Sequence, residues 1–419
     1  MANDNKQNPL MRKLPDIVPV RKGVSALKIK MTKKYSISDI EVYAGEECWA
    51  EKEKIVEKYK SKWPAAFKYI ENLINISFSE IPIYIEMQKA PNKIMELEKI
   101  KTDMIFCYFA YGFTANEYFV FHLKDKEVKE RKNFISSRLR TIFRCQMNDL
   151  LKADIFNDKT KTYAYFKKYY HREAIAISTP ADFAEFQNYV KKHPIFVKKQ
   201  CFEAQGHSVE LVDIRKSGKT EKELFDSLIK AGKHILEEKI IQSPAMAIFN
   251  ESSVNTVRSV TFNTRQGIVV PYCTIRTGRP GAFVDNGGAG GIQACINYEN
   301  GKIISDGFDE IGGKYVNHPA SNTTFKGYQL PDWRQLQSLV KETASKMPLI
   351  KFIGWDLAHT KDGWVIVEGN ENCYVIAQQM IMDQGMRDIF EKIMKDMDCL
   401  LYTSPSPRDS TSSRMPSSA

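Results

Sequence analysis

The chain lacks the marks of a membrane, metal-ribbon or repeat protein. Its most apolar stretch, Met104–Ala110, is far shorter than the roughly 20 residues a membrane-spanning helix needs. The opening residues, MANDNKQNPLMRK, hold no apolar run, so no secretory signal peptide is expected. Eight cysteines, at 48, 107, 145, 201, 273, 295, 373 and 399, form no Cys-x-x-Cys pair and no zinc-ligand spacing. They stand mostly among apolar neighbours, the pattern of reduced core residues in a cytoplasmic protein. No internal repeat is visible. Acidic residues are the minority, 51 against 61 basic, which leaves a net charge of +10. That balance suits anionic ligands without choosing among them. No basic tract resembles a nucleic-acid arm, so no nucleic-acid partner is expected.

What is present is an ordinary globular composition, 43% hydrophobic and 27% charged, over 419 residues, enough for two or three domains. Residues 1–35 read as a basic flexible arm. Residues 36–152 read as mainly helical, with helical periodicity over Gly45–Ile76. That region also carries an expected strand at Ile81–Met87 and a helix at Pro91–Lys101. An aromatic-rich helical stretch, Met104–Phe121, and an amphipathic helix, Lys124–Leu151, complete it. Residues 153–250 alternate helices and strands: Asp158 opens a helix, and strands are expected at Ile175–Ser178, Ile195–Lys199, Val209–Ile214 and Ile235–Ile241. Residues 251–398 are richer in strands. Residues 399–419 read as a disordered or artefactual tail; from Leu401 they are low in complexity and resemble translated adapter sequence.

The stretch Ile353–Gln379 has the pattern of a β-hairpin turning at Lys361-Asp362-Gly363. A three-residue loop sets Leu357 against Val367, His359 against Val365 and Asp356 against Glu368, which keeps the apolar face apolar. Asn370 shares the face of Glu368, because side chains alternate along a strand. Asp356, Glu368 and Asn370 then converge as oxygen ligands. Two acids this close repel unless a cation, a proton or a base lies between them. Mg²⁺ suits such a set, since it takes carboxylates together with phosphate oxygens. The alternative is a solvated acidic face.

Further segments join this hairpin: Asn157-Asp158-Lys159, Phe196-Val197-Lys198, Leu236-Glu237-Glu238-Lys239, Val254-Asn255-Thr256-Val257-Arg258, Val284-Asp285-Asn286 and His318-Pro319. In this order they resemble the ATP-grasp superfamily, most closely its sugar-transfer-associated branch, which is related to α-L-glutamate ligases. The resemblance covers roughly Met104 to Gln379. It implies an α+β fold in which two lobes clamp ATP, preceded here by the helical region. It implies the lobes 153–250 (lid) and 251–398. Lys159 and Lys198 would meet the phosphates, with Lys199 a rival for the second role. The loop around Gly206 would close over the phosphates, although relatives carry more glycines there. Glu238, Lys239 and main-chain groups near Ile241 would read adenine. Arg258 and Arg276 would serve catalysis by stabilising transferred phosphate or an acyl-phosphate oxyanion. Asp285-Asn286 reads as an active-site loop or a plain surface loop. His318 is a signature without an assigned role, and a lone loop histidine is usually structural.

The implied activity is an ATP- and Mg²⁺-dependent ligase that joins a carboxylate to an amine, on a small-molecule or saccharide substrate. An ATP-grasp kinase, or a nucleotide-binding protein without catalysis, are the competing readings. A cytoplasmic location follows, with a place at the periphery of membrane-bound polysaccharide machinery left open.

Overall fold

The computed structural model describes residues 49–202, 209–285, 287 and 290–397. The arm 1–35, Gly206, Asn286 and the tail from Leu401 lie outside the described residues. The chain begins with helices α1 (Trp49–Lys62), α2 (Pro64–Glu80), α3 (Pro82–Lys89) and α4 (Ile94–Tyr111). Shorter helices follow: α5 (Ala115–Val120), α6 (Val128–Asn133), α7 (Ser137–Met147) and α8 (Leu150–Ala153).

Two expectations are corrected here. Ile81–Met87 is not a strand, because Pro82 starts α3 at the position where a missing N–H costs nothing. Ile81 and Tyr84 then bury one helical turn apart, and the Tyr84 ring packs 4.9 Å from Phe78. Lys124–Leu151 is not one helix. Ser136 caps α7 through the Leu139 amide, and Asp149 caps α8 through the amides of Leu151 and Lys152, so the chain restarts twice.

Next come α9 (Lys159–Tyr170), capped by Asp158 as its sequence suggested, and a four-stranded antiparallel sheet. Its strands are β1 (Ala174–Ile177), β2 (Ile195–Gln200), β3 (Glu210–Asp213) and β4 (His234–Glu238), in the order β1-β4-β2-β3. Helices α10 (Phe183–Lys192) and α11 (Glu221–Ala231) cover one face, where Phe186, Phe225 and Leu228 pack on Ile177, Phe196 and Leu236. The opposite face turns towards the second lobe.

After the short α12 (Pro244–Ala247) comes an eight-stranded sheet in the order β10-β9-β7-β6-β5-β11-β12, with β8 beside β7. Its long strands are β5 (Thr256–Thr264), β6 (Gly267–Thr277), β7 (Ile292–Asn297), β11 (Phe352–Thr360) and β12 (Gly363–Asn370). The short ones are β8 (Lys302–Ile303), β9 (Gly307–Phe308) and β10 (Lys314–Tyr315). Helix α13 (Trp333–Ser345) joins α9 over one face, around the fully buried Trp355. Helix α14 (Ile376–Met382) packs its Met380 and Ile381 into the core of the N-terminal helices. Helices α7 and α15 (Arg387–Lys395) cover the other face around Phe262, Phe352 and Phe390. Among the described residues no helix is long and apolar enough to cross a membrane. The six described cysteines are free, and five of them are buried.

The hairpin β11–β12 keeps its acids opposed, Asp356 to Glu368, by a route the sequence did not show. Its loop is two residues, since Thr360 pairs with Gly363, and Gly363 takes the positive φ of 102°. Leu357 therefore faces Ile366, not Val367, and His359 faces Trp364, not Val365. A β-bulge at Val367 then shifts the ladder by one and brings Glu368 opposite Asp356.

Candidate active site

The two lobes meet at a cavity lined by Phe156, Lys159, Thr162, Tyr170, Lys199, Glu237, Val367 and Glu368. Helix α9 supplies Lys159 at its first turn, the small sheet supplies Lys199 and Glu237, and the hairpin supplies Val367 and Glu368.

Lys198 is not at this cavity, which corrects the expectation for β2. Alternation along the strand is as anticipated, but the face that Lys198 shares with Phe196 is the helix-covered one. Lys198 Nζ pairs with Glu210 of the edge strand at 2.9 Å. Lys199 stands on the cleft face with Val197 and reaches diagonally across the ladder to Glu237 Oε1, 2.9 Å away.

Glu237 is the residue that the sequence reading passed over. It is 4% exposed, and its second oxygen accepts from Arg172 Nε at 2.8 Å and Nη2 at 2.6 Å. Burial alone would raise its pKa; the charges of Arg172 and Lys199 outweigh burial and hold the carboxyl at about 2. Strand parity is the signal that could have found it, because Leu236 packs inward and turns Glu237 to the other side. Arg172, next to a histidine in a loop, left no such signal. Glu238 lies at the end of β4, where its amide and carboxylate bond to the backbone of Glu173. Lys239 and Ile241 follow on the exposed connection between the lobes, Ile241 at 78% exposure.

In the second lobe Asp356 carries two arginines. Arg258, its cross-strand neighbour, grips it with Nε and Nη2, and Arg276 Nη1 reaches Oδ2 at 3.0 Å. Burial opposes the charge on Asp356, but the two guanidinium groups prevail and lower its pKa. Arg276 also faces Asp285 at 3.7 Å, and Thr256 donates to Asp285. Burial raises the pKa of Asp285 and of nearby Glu310. Asn370 pairs with Gly354, and its amide lies 3.4 Å from Asp356 Oδ2. Gly369 has a steric reason: a Cβ there would stand 2.5 Å from the Phe156 ring. Among the described residues the Glu368 carboxylate makes no hydrogen bond or ion pair, and no cluster of three His, Cys, Asp or Glu could hold a metal. The donor chemistry nonetheless fits a hard cation, with a half-buried unpaired carboxylate, opposite it a second carboxylate kept ionised by two arginines, and the Asn370 side chain on the same face.

His318 is fully buried and structural. Its Nε2–H donates to the Gly278 carbonyl at 3.1 Å, and its Nδ1 accepts from the Ala320 amide. Burial lowers its pKa and keeps it neutral in that role. Arg279 fastens the same loop through the Gly290 carbonyl and Asp309.

Comparison with known proteins decides the family. The family model for sugar-transfer associated ATP-grasp proteins matches residues 138–395, more than half of the chain. The chain belongs to that family. Its fold is the ATP-grasp fold, and the helical region precedes it. Solved ATP-grasp structures resemble the chain only distantly. D-alanyl-alanine synthetase A from Vibrio cholerae shows 11% identity over 57% of this chain and 60% of its own, with a TM-score of 0.35. N5-carboxyaminoimidazole synthetase from Staphylococcus aureus, solved with ADP, shows 10% identity over 63% and 59%, with a TM-score of 0.40. D-Alanine-D-alanine ligase from Helicobacter pylori shows 16% identity over 58% and 60%, with a TM-score of 0.35. The ATP-grasp chain thus spans about three fifths of the length of these structures. A search of curated proteins found no match.

Proposed function

We propose that this ATP-grasp protein is an ATP- and Mg²⁺-dependent ligase that activates a carboxylate as an acyl phosphate and joins it to an amine. The acceptor would be a cell-surface saccharide precursor or an amino-acid conjugate, handled in the cytoplasm. One observation carries the reading: two lysines, Lys159 and Lys199, and the unpaired Glu368 line one interlobe cavity. Two ammonium groups and an unpaired carboxylate around one cavity suit a phosphate chain whose charge a cation helps to neutralise.

In this reading Lys159 and Lys199 hold the phosphates. The backbone of Lys239 and Ile241 reads adenine; Glu238, expected to share that role, stands opposite Phe196 on the helix-covered face of the sheet, and its carboxylate already accepts from the Glu173 amide. Asp356, Glu368 and Asn370 would hold Mg²⁺, which when bound neutralises phosphate charge. Arg258 and Arg276 would orient and stabilise the anionic oxygens of the group being transferred. Both arginines are already fixed on Asp356, so they need little ordering when substrate arrives.

Hydroxylamine tests the reaction class. Incubated with ATP, Mg²⁺ and a panel of uronic acids, N-acylated sugar acids and glutamate, the protein should release ADP and form a hydroxamate. ADP with a phosphorylated product that resists hydroxylamine would replace the ligase by a kinase. Nucleotide binding with no ADP across the panel would point to a binding protein.

A further inference from the structure

Arg172 sits between the lobes with every donor engaged. It lies just past the end of α9, after His171 in the left-handed region (φ 46°), and stacks 4.4 Å from the Tyr170 ring. Its Nε and Nη2 bind Glu237 of the small sheet. Its Nη1 donates to the carbonyls of Ile366, at 2.6 Å, and Tyr170, at 3.3 Å, and Nη2 also reaches the Val367 carbonyl at 3.3 Å. Ile366 and Val367 are the residues of the β-bulge that brings Glu368 opposite Asp356. A bulge takes backbone groups out of the ladder, and buried carbonyls need another donor. Arg172 supplies it from the other lobe.

The result is a continuous chain of charge-assisted bonds. Lys199 binds Glu237, Glu237 binds Arg172, and Arg172 holds the bulge one residue before Glu368. Glu237 is the only side chain in that chain which touches both a cavity lysine and the interlobe arginine.

We propose that Arg172 and Glu237 are positioning residues that register the cavity lysine of one lobe against the carboxylate hairpin of the other, so that nucleotide and divalent cation bind as one coupled event. Neither need touch the reacting atoms. Arg172 fixes the bulge, and Glu237 fixes both Arg172 and the Lys199 ammonium. A lysine at position 172 keeps the charge but not the planar fork, and cannot serve Glu237 and two carbonyls together. This inference rests on the proposed nucleotide and metal site.

The test is calorimetric titration of the full chain with ADP and with a non-hydrolysable ATP analogue, each with and without Mg²⁺. In the wild-type protein Mg²⁺ should tighten nucleotide binding about tenfold or more, a common size for coupling between sites. Arg172→Lys and Arg172→Gln should each remove most of that enhancement while leaving Mg²⁺-free binding within about threefold. The variant Arg172→Gln/Glu237→Gln removes both members of the buried pair, leaving only the Lys199 ammonium without its anion, and should also lose most of the Mg²⁺ enhancement, with melting curves verifying that it folds. Full Mg²⁺ enhancement in any folded variant would overturn the inference and leave the proposed function intact. If no variant folds, the pair is a structural clasp and the positioning role falls. A wild-type chain that binds no nucleotide would remove the proposed function, and this inference with it.

Discussion

Asp356 and Glu368 face each other across the hairpin, yet they hold different things. Asp356 is 5% exposed and carries Arg258 and Arg276, whereas Glu368 is half-buried and has no ionic partner among the described residues. Their amide substitutions should therefore differ in kind. Glu368→Gln is expected to abolish Mg²⁺-dependent turnover while the ligand-free melting temperature stays nearly unchanged. Asp356→Asn leaves two guanidinium groups without their anion and should cost about 3–5 kcal/mol of stability, the scale for breaking a buried pair. Equal melting losses in the two variants would show that Glu368 is structural. The same contrast separates two neighbouring lysines. Lys199→Met should weaken ATP binding by ~1.5–3 kcal/mol, the scale of a lost charge-assisted bond. Lys198→Met should weaken it much less, because that side chain meets Glu210 on the other face of the strand. Titration calorimetry of both variants decides, and the reverse ranking would place the nucleotide on the wrong side of the sheet.

At the scale of elements, the hairpin and its glycine turn were legible because alternation and turn chemistry are local properties of the sequence, whereas the opposition of Asp356 and Glu368 was expected through a three-residue loop that the structure does not have. The bulge was not legible, because the group that supports it, Arg172, is nearly two hundred residues away along the chain. Helix α7 shows the same limit. Its sequence placed it within one long N-terminal helix, but its apolar side, Leu139, Ile142, Phe143 and Met147, packs on the back of the large sheet. Its polar side grips the segment that leaves the hairpin. Arg140 reaches the Asn372 and Cys373 carbonyls, and Arg144 pairs with Glu371 at 2.8 Å. The family match begins at residue 138, inside this helix, so α7 belongs with the ATP-grasp unit by packing as well as by sequence. Arg140→Ala should lower stability by about 1–3 kcal/mol through the buried carbonyls it strands. Hydrogen exchange should show faster opening at residues 370–375 than at the β5–β6 hairpin. Uniform acceleration in both places would mean that the helix supports the whole sheet and not this exit segment.

At the scale of the whole molecule, the buried pair Arg172–Glu237 links the small sheet to the large one, and its charge makes stability depend on pH in a definable way. Glu237 is the clearest case, since its carboxyl stands at about 2 when folded, against an ordinary value of ~4.3 in the unfolded chain. A lowered folded pKa gives stability that is fully present above the unfolded value and is lost as pH falls towards the folded one. A gap of about two pKa units corresponds to on the order of 3 kcal/mol, lost between about pH 5 and pH 2. Glu117, Asp285 and Glu310 have pKa values raised by burial and act with the opposite sign, so the total acid response of the wild-type chain mixes both. Comparison with Glu237→Gln removes that mixture, because the raised groups are the same in both proteins. At pH 7 the variant should melt well below the wild type, because Arg172 and Lys199 have lost their anion. As the pH falls from 5 towards 2, protonation brings the wild type to the same condition, and the two melting curves should converge. The Arg172–Glu237 pair bonds to both sheets, so the convergence should appear equally in probes of the small sheet and of the large one. A melting difference that stays constant from pH 7 to pH 2.5 would mean that the charge on Glu237 does not hold the lobes together.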